Sequence, residues 1–406
     1  SLDLGNSLGI ISWGIASGIG GAARDYSSLA GVTGSGAAVD LNVTGDISIF
    51  TSTIASVFGG NVSVHADGKI DLSPAGFSFA PLKTGYSCYG IFTSGHSDVS
   101  VTAGGNININ NSRIGAFNGG NVLVKSDNGN VNAGNGANDA LYVPVVYKDL
   151  VTGAWTSGQM GDFSSREAYA HNPAPHGSGI LAYGAVEQYR MDGGNGLPGN
   201  IEVYTPRGDI ISTLGGIKQI ALDGNINGTP TVTLNAGTPA ANGSSAIPGN
   251  VLLGQGGVIG GTVSVTAQGN IEGMIISKEN ANISAAQSFS GAVFSGGTAN
   301  VNAGGAISGT LVGIGGVSAA GGEGVSASIL SQNVSVGGQQ QDSTLGTAAT
   351  ASVAGQSAAN QASSDTKEQV ASNNVQSDDD DKKKKRNLPG LTRRVGRVTV
   401  VLPKTM

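Results

Sequence analysis

Residues 263–280 (VSVTAQGNIEGMIISKEN), 281–298 (ANISAAQSFSGAVFSGGT) and 299–316 (ANVNAGGAISGTLVGIGG) are three consecutive blocks of equal length that read as one pattern written three times. Val265, Ile283 and Val301 share a column, and Ile271, Phe289 and Ile307 share another. Ala267, Ala285 and Ala303 keep the same step, as do Gly273, Gly291 and Gly309, and Ile275, Val293 and Leu311. Inside each block aliphatic residues alternate with small polar ones, which gathers the aliphatic set on one face of a strand. A period this short, with several strands and no helical stretch, fits one circuit of a β-solenoid. Each circuit should stack on the last at about 4.8 Å, so that Val, Ile and Ala form internal ladders.

The same grammar extends outward. Ten times the chain writes Gly-Asn/Asp-Ile/Val, as in Gly45-Asp46-Ile47, Gly60-Asn61-Val62, Gly105-Asn106-Ile107 and Gly269-Asn270-Ile271. Gly and Asn suit a left-handed turn, so the unit reads turn, strand, turn, strand. Asn ladders at these turns are expected to pair amide to amide along the axis. Val39, Ile47, Ile54 and Val62 recur at one constant offset as Val99, Ile107, Ile114 and Val122. That offset predicts three coils of about 20, and the whole repeat region about 15 coils in a rod near 70 Å. A sandwich or propeller would need longer hairpin units, and Asn-Gly hairpin turns are scarce.

Composition agrees. Gly contributes 68 residues, while charged residues are 12% and aromatics 5%; globular domains carry roughly twice that charged fraction. With few large side chains, many thin layers are easier to build than one thick core. Nine of the 21 Lys and Arg lie from Lys382 onward, where there is no Asp or Glu. Residues 1–381 therefore hold 12 basic and 27 acidic side chains, a net of −15. An acidic body disfavours nucleic acid as a partner and reads as a solvated face that aids solubility. Cys88 is the only cysteine, which forbids an intrachain disulfide and reads as a buried structural thiol. The chain opens without Met and without a basic, cleavable leader, so any signal peptide is expected to lie outside it. Residues 8–23 are uncharged but short and Gly-rich, and read as a coil or cap rather than a membrane span.

Five segments follow: N-terminal coils 1–133, an insertion 134–198, C-terminal coils 199–337, a linker 338–386 and a basic tail 387–406. The insertion loses the repeat and holds Tyr142, Tyr147, Trp155, Phe163, Tyr169, Tyr183 and Tyr189. It should lie outside the coil stack, either as a lid packed on one face or as a binding loop. Under the second reading the candidate contact residues are Trp155, Tyr169, Tyr183 and Tyr189. The linker lacks the apolar content to offset ordering entropy and should be disordered. Its end sets Asp378 to Asp381 against Lys382, Lys383, Lys384, Lys385 and Arg386, followed by Arg393, Arg394 and Arg397. These eight cations read as a solvated end or as an electrostatic tether to an anionic surface. Val398 to Leu402 reads as one short strand.

A search for chemistry yields no catalytic, metal or cofactor constellation. Asp40, Asp46, Asp67, Asp71, Asp98 and Asp209 are scattered along the coils and read as turn caps rather than paired glycosidase carboxylates. His171 and His176 flank a Pro-containing loop without a third ligand. Gly193 to Pro198 puts Pro where the calcium nonapeptide needs Asp. Gly95-His96-Ser97 only echoes a pectinase signature, and Arg207-Gly208-Asp209 sits in the recurring Gly-Asp-Ile turn.

The coil phrases, such as residues 99–109 (VSVTAGGNINI) and 299–307 (ANVNAGGAI), resemble the filamentous haemagglutinin family of secreted bacterial exoproteins. The resemblance covers residues 36–133 and 199–336. It implies a right-handed parallel β-helix, with export through an outer-membrane transporter partner. It also implies a secreted or Gram-negative cell-surface location and adhesion to a host or neighbouring-cell surface, with a glycan among the candidate ligands. The family's N-terminal secretion domain is not visible, so the chain is expected to be part of a longer one. A self-assembling fibre or matrix protein and a polysaccharide-active β-helix enzyme are the alternatives.

Overall fold

The computed structural model describes residues 1–7, 9–14, 36–72, 90–134, 143–148, 155–160, 177–184, 196–221, 229–241, 243–337, 339–342, 349–353, 393–395 and 398–400. Every regular element among them is a strand, and the long sheets are parallel. The chain is a parallel β-helix. Two units separate, residues 1–356 and 357–406, and the helix belongs to the first.

The predicted columns are stacked rungs. Val265 pairs in register with Ile283, and Ile283 with Val301. Ile271 pairs with Phe289, and Phe289 with Ile307. All six are buried, in one continuous cluster of Val, Ile, Leu and Ala, with Phe289 among them, that runs the length of the helix. Burying each such side chain contributes about 1.5–3 kcal/mol.

Coil size is not uniform. An N-terminal circuit has three strands: Val39–Val43 on a first face, Ile47–Ile49 on a second and Thr53–Val57 on a third. Along the first face Val39 pairs with Val62, and Val62 with Val99. The chain offset between these coils is 23 at the first step and 37 at the second. The long repeat is thus two circuits rather than three of about 20. At Ile271–Ser277 the second and third faces fuse: this strand pairs with both Val251–Leu252 and Val258–Gly260. A bend at Gly273 replaces the former turn, with φ of 112°. Losing that turn shortens the circuit to the constant step seen from Val263 to Ala281 to Ala299. Among the described residues, eleven parallel strands stack on the first face, from Val39–Val43 to Asn333–Val336. Fewer coils than the 15 expected result, because the early circuits each consume more chain.

The Asn and Asp of the Gly-Asn-Val motif act on backbone more than on each other. Asn130 Oδ1 accepts from the Asp209 N–H, Asp209 Oδ1 from the Asn250 N–H, and Asn250 Oδ1 from the Asn270 N–H, at 2.7–2.8 Å. Asn270 Oδ1 then accepts from the Ser288 N–H. Each side chain thereby satisfies a turn N–H that has left the sheet ladder. Direct amide pairing occurs between Asn300 and Asn282, but on the outward side of first-face strands rather than at the turns where it was expected. The motif's glycine also has a second reason. Gly120 does adopt a left-handed φ of 96°, but Gly199 does not. A Cβ on Gly199 would stand 1.8 Å from the Gly120 carbonyl oxygen one coil below.

Two expectations about the ends change. Residues 339–342 and 349–353, expected within a disordered linker, form strands antiparallel to Asn333–Val336 and Val325–Ser331. They cover the free edge of the last coil, where unpaired N–H and C=O groups would otherwise face solvent. In the second unit, Val398–Val400 is one arm of an antiparallel hairpin with Arg393–Val395, not a lone strand.

Ile283→Asp should lower unfolding stability by at least about 3 kcal/mol, since the lumen offers no partner for a carboxylate. Equilibrium denaturation measures it. Asn270→Ala should lose about 1–2 kcal/mol by orphaning the Ser288 N–H, whereas Asn270→Asp keeps the acceptor and most of the stability. Equal loss in both variants would contradict the backbone-capping role.

Candidate surface-recognition site

The insertion is partly inside the stack. Gly179–Gly184 is a third-face strand, paired in parallel with Arg113–Phe117 on one side and Gly216–Ala221 on the other. Residues 143–148 and 155–160 form an antiparallel hairpin. Its first arm packs over the third-face strands Thr53–Val57 and Gly90–Ser94. Those strands are buried on both faces. A second apolar layer therefore lies outside the sheet. Phe92 meets Phe117 edge-on at 5.9 Å, and Phe117 stacks on Tyr183 at 5.6 Å.

Tyr183 was a candidate contact residue, and the structure corrects that: it is 1% exposed. Alternation in its strand sends Ile180 and Ala182 inward and Tyr183 outward, where it stacks on Phe117. This strand is a rung of the stack itself, neither lid nor external loop, which corrects the expectation that residues 134–198 lie outside the coils. Trp155 begins the second arm of the hairpin, opposite Lys148. Tyr169, Tyr189, Cys88, His171 and His176 lie outside the described residues, as do Lys382, Lys383, Lys384, Lys385, Arg386 and Arg397. Arg393 and Arg394 are in the first arm of the terminal hairpin.

Arg207-Gly208-Asp209 is a turn, as read. Asp209 Oδ1 accepts from both the Asn250 N–H and the Asn250 amide, so its carboxylate is part of the ladder.

The outward side of the first face is where the surface departs from monotony. Most of its outward positions are Ser, Thr or Asn, for example Ser63, Ser100, Thr102, Thr233 and Asn235. Two adjacent rungs differ: Leu123 sits beside Glu202, and Lys125 beside Tyr204. The Ile201–Thr205 strand buries Ile201, Val203 and Thr205 and turns Glu202 and Tyr204 out. The Tyr204 hydroxyl donates to Glu202 Oε2 at 3.0 Å. Partial burial, and the hydrogen bond to the carboxylate, raise the Tyr204 phenol above its ordinary range, so it stays a donor at neutral pH. Lys125 Nζ is held 2.7 Å from Asp127.

Leu123 and Glu202 line a shallow, open groove of about 410 Å³ that runs along the axis, and Tyr204 is tied to it through its hydrogen bond to Glu202. One wall is the outward column Ser63, Ser100, Leu123 and Glu202; the other is the turn ladder Asn61, Asp98, Asn121 and Asn200. In that ladder Asn61 Oδ1 accepts from the Asp98 N–H, Asp98 from Asn121, and Asn121 from the Asn200 N–H. With their oxygens so used, the side-chain amide nitrogens of Asn61 and Asn200 carry no hydrogen bond among the described residues. The groove thus offers amide donors, a carboxylate acceptor, hydroxyls and one half-buried aliphatic side chain, Leu123, on a rigid sheet. Sequence reading missed it. The available signal was a charged and an aromatic residue in the outward positions of residues 201–205 (IEVYT), where other coils place Ser, Thr or Asn.

Comparison with family models, curated proteins and solved structures returned no match to the chain.

Tyr183→Ala should cost about 3–5 kcal/mol by leaving a void against Phe117. Thermal unfolding would register it, and ligand binding at the first-face groove should be unchanged.

Proposed function

We propose that the chain is a non-enzymatic, extracellular adhesive rod of a bacterial surface or secreted exoprotein, and that the first-face groove holds a glycan of the surface it attaches to. The carrying observation is the break in the Ser/Thr/Asn columns at Leu123 and Glu202, which line the groove on adjacent rungs, with Tyr204 holding the Glu202 carboxylate. A sugar presents hydroxyls that both donate and accept, and apolar C–H faces that pack on aliphatic or aromatic surface. The groove supplies both kinds of partner. Its axial run suits an extended oligosaccharide, since equivalent groups repeat every coil at about 4.8 Å. A parallel β-helix also supports this role mechanically, because its side chains are fixed by stacking and need little ordering on binding.

The resemblance of the coil phrases to secreted haemagglutinin-like proteins supports the same reading, including export through an outer-membrane transporter. The acidic body, at −15 over residues 1–381, supports a partner other than nucleic acid.

Glycan-array binding followed by calorimetry on the full chain tests the proposal. Glu202→Gln and Tyr204→Ala should each weaken binding by roughly tenfold or more, while the thermal midpoint changes little. Undiminished binding in both variants, or no binding across host and bacterial glycans, would sink it.

A further inference from the structure

The outward column of the third face changes character along the axis. Upstream it is buried: Phe92 lies in a strand covered by the Val143–Lys148 arm, and Leu181 is buried too. Lys218 follows, half-buried, where burial lowers its ammonium pKa below the usual range. Downstream the same column continues in register as Ile259, Ile276, Phe294, Val312 and Leu330. Here the residues open to solvent, with Phe294 at 40% and Leu330 at 37% exposed. Five large apolar side chains in a straight row are unusual on an exposed sheet face.

We infer that this stripe is a lateral contact between two copies of the chain, arranged antiparallel about a two-fold axis through Phe294. Three observations favour a second copy as the occupant. The body is strongly acidic, so copies repel over most of their surface, yet residues 280–341 contain one charged residue, Glu323. Repulsion is weakest along the part of the stripe from Phe294 to Leu330. A ladder with a constant step is also self-complementary under a perpendicular two-fold. Phe294 then meets its own equivalent, Ile276 meets Val312 of the second copy, and Ile259 meets Leu330. Finally, the upstream strands Thr53–Val57 and Gly90–Ser94 of this face are already covered by the chain's own Val143–Lys148 arm, so the face is one built to pack. Axial stacking is disfavoured at the C-terminal end, where antiparallel strands cap the last coil.

The contact is small. Five rungs span about 19 Å from first to last, and the patch is on the order of 400 Å² per copy, half the standard share. The dimer should therefore be weak and reversible, formed at high concentration or when rods stand side by side on a surface.

Sedimentation of the full chain from micromolar to millimolar concentration gives the first readout, with a rising dimer fraction expected. Phe294→Lys should raise the dissociation constant by at least about tenfold and leave the far-ultraviolet circular dichroism unchanged. Geometry is read by oxidative cross-linking in a Cys88→Ser background. Phe294→Cys should cross-link to itself, whereas Ile276→Cys should cross-link efficiently only when mixed with Val312→Cys. A monomer at every concentration overturns the inference, and so does self-linkage of Ile276→Cys equal to that of Phe294→Cys. Binding of neutral phosphatidylcholine vesicles by a monomeric chain, lost in Phe294→Lys, would assign the stripe to a membrane surface instead.

Discussion

Parallel stacking imposes one constraint from which the rest of this structure follows: every residue lies about 4.8 Å from its equivalents in the coils above and below. Inside the lumen the constraint is met by Val, Ile, Leu and Ala, which pack on their own kind without strain. At the turns it is harder to meet, because the backbone leaves the ladder and its N–H groups lose their partners. Asn and Asp answer that need, as in the run Asn130, Asp209, Asn250 and Asn270, each serving the next coil. Glycine answers another, by letting the carbonyl of one coil approach where a Cβ would stand, as Gly199 does over Gly120.

The same constraint turns the outside into a set of columns, and a column's chemistry is set over many coils at once. On the first face the column is mostly small and polar, so a local change at Leu123, Lys125, Glu202 and Tyr204 makes a distinct patch on an otherwise repetitive surface. On the third face the column is mostly apolar, interrupted by Lys218. Covered upstream by an insertion and open downstream, it separates into an intramolecular layer and a stripe. Glycan recognition and lateral pairing would then use different faces of one rod and need not compete.

Where the sequence was legible, equal spacing made it so. Residues 263–316 keep one constant step without insertions, and their columns are the rungs of the structure. The earlier coils were misjudged because loops of differing length interrupt them. Unequal offsets of 23 and 37 together mimic three even turns when only aliphatic positions are counted. Gly179–Gly184 was lost in the insertion for a related reason: residues 179–184 (GILAYG) are apolar on both faces and show no alternation, as expected of a strand covered twice. Gln339–Asp342 carries no apolar residue at all and forms a strand through backbone pairing alone, which composition cannot reveal.

By itself, the sequence determined the class of fold, the identity of the lumen ladders and which residues build the turns, because each depends on local alternation and on a repeated step. Only the tertiary structure decided which outward side chains become neighbours. Leu123 and Glu202 are distant along the chain and adjacent in space, as Phe117 and Tyr183 stack across the insertion. Their contact depends on how much chain loops out between coils. Loop length has little energetic consequence for a stacked rung, since closure entropy grows only slowly with length, and so it leaves no periodic trace from which the pairing could be read.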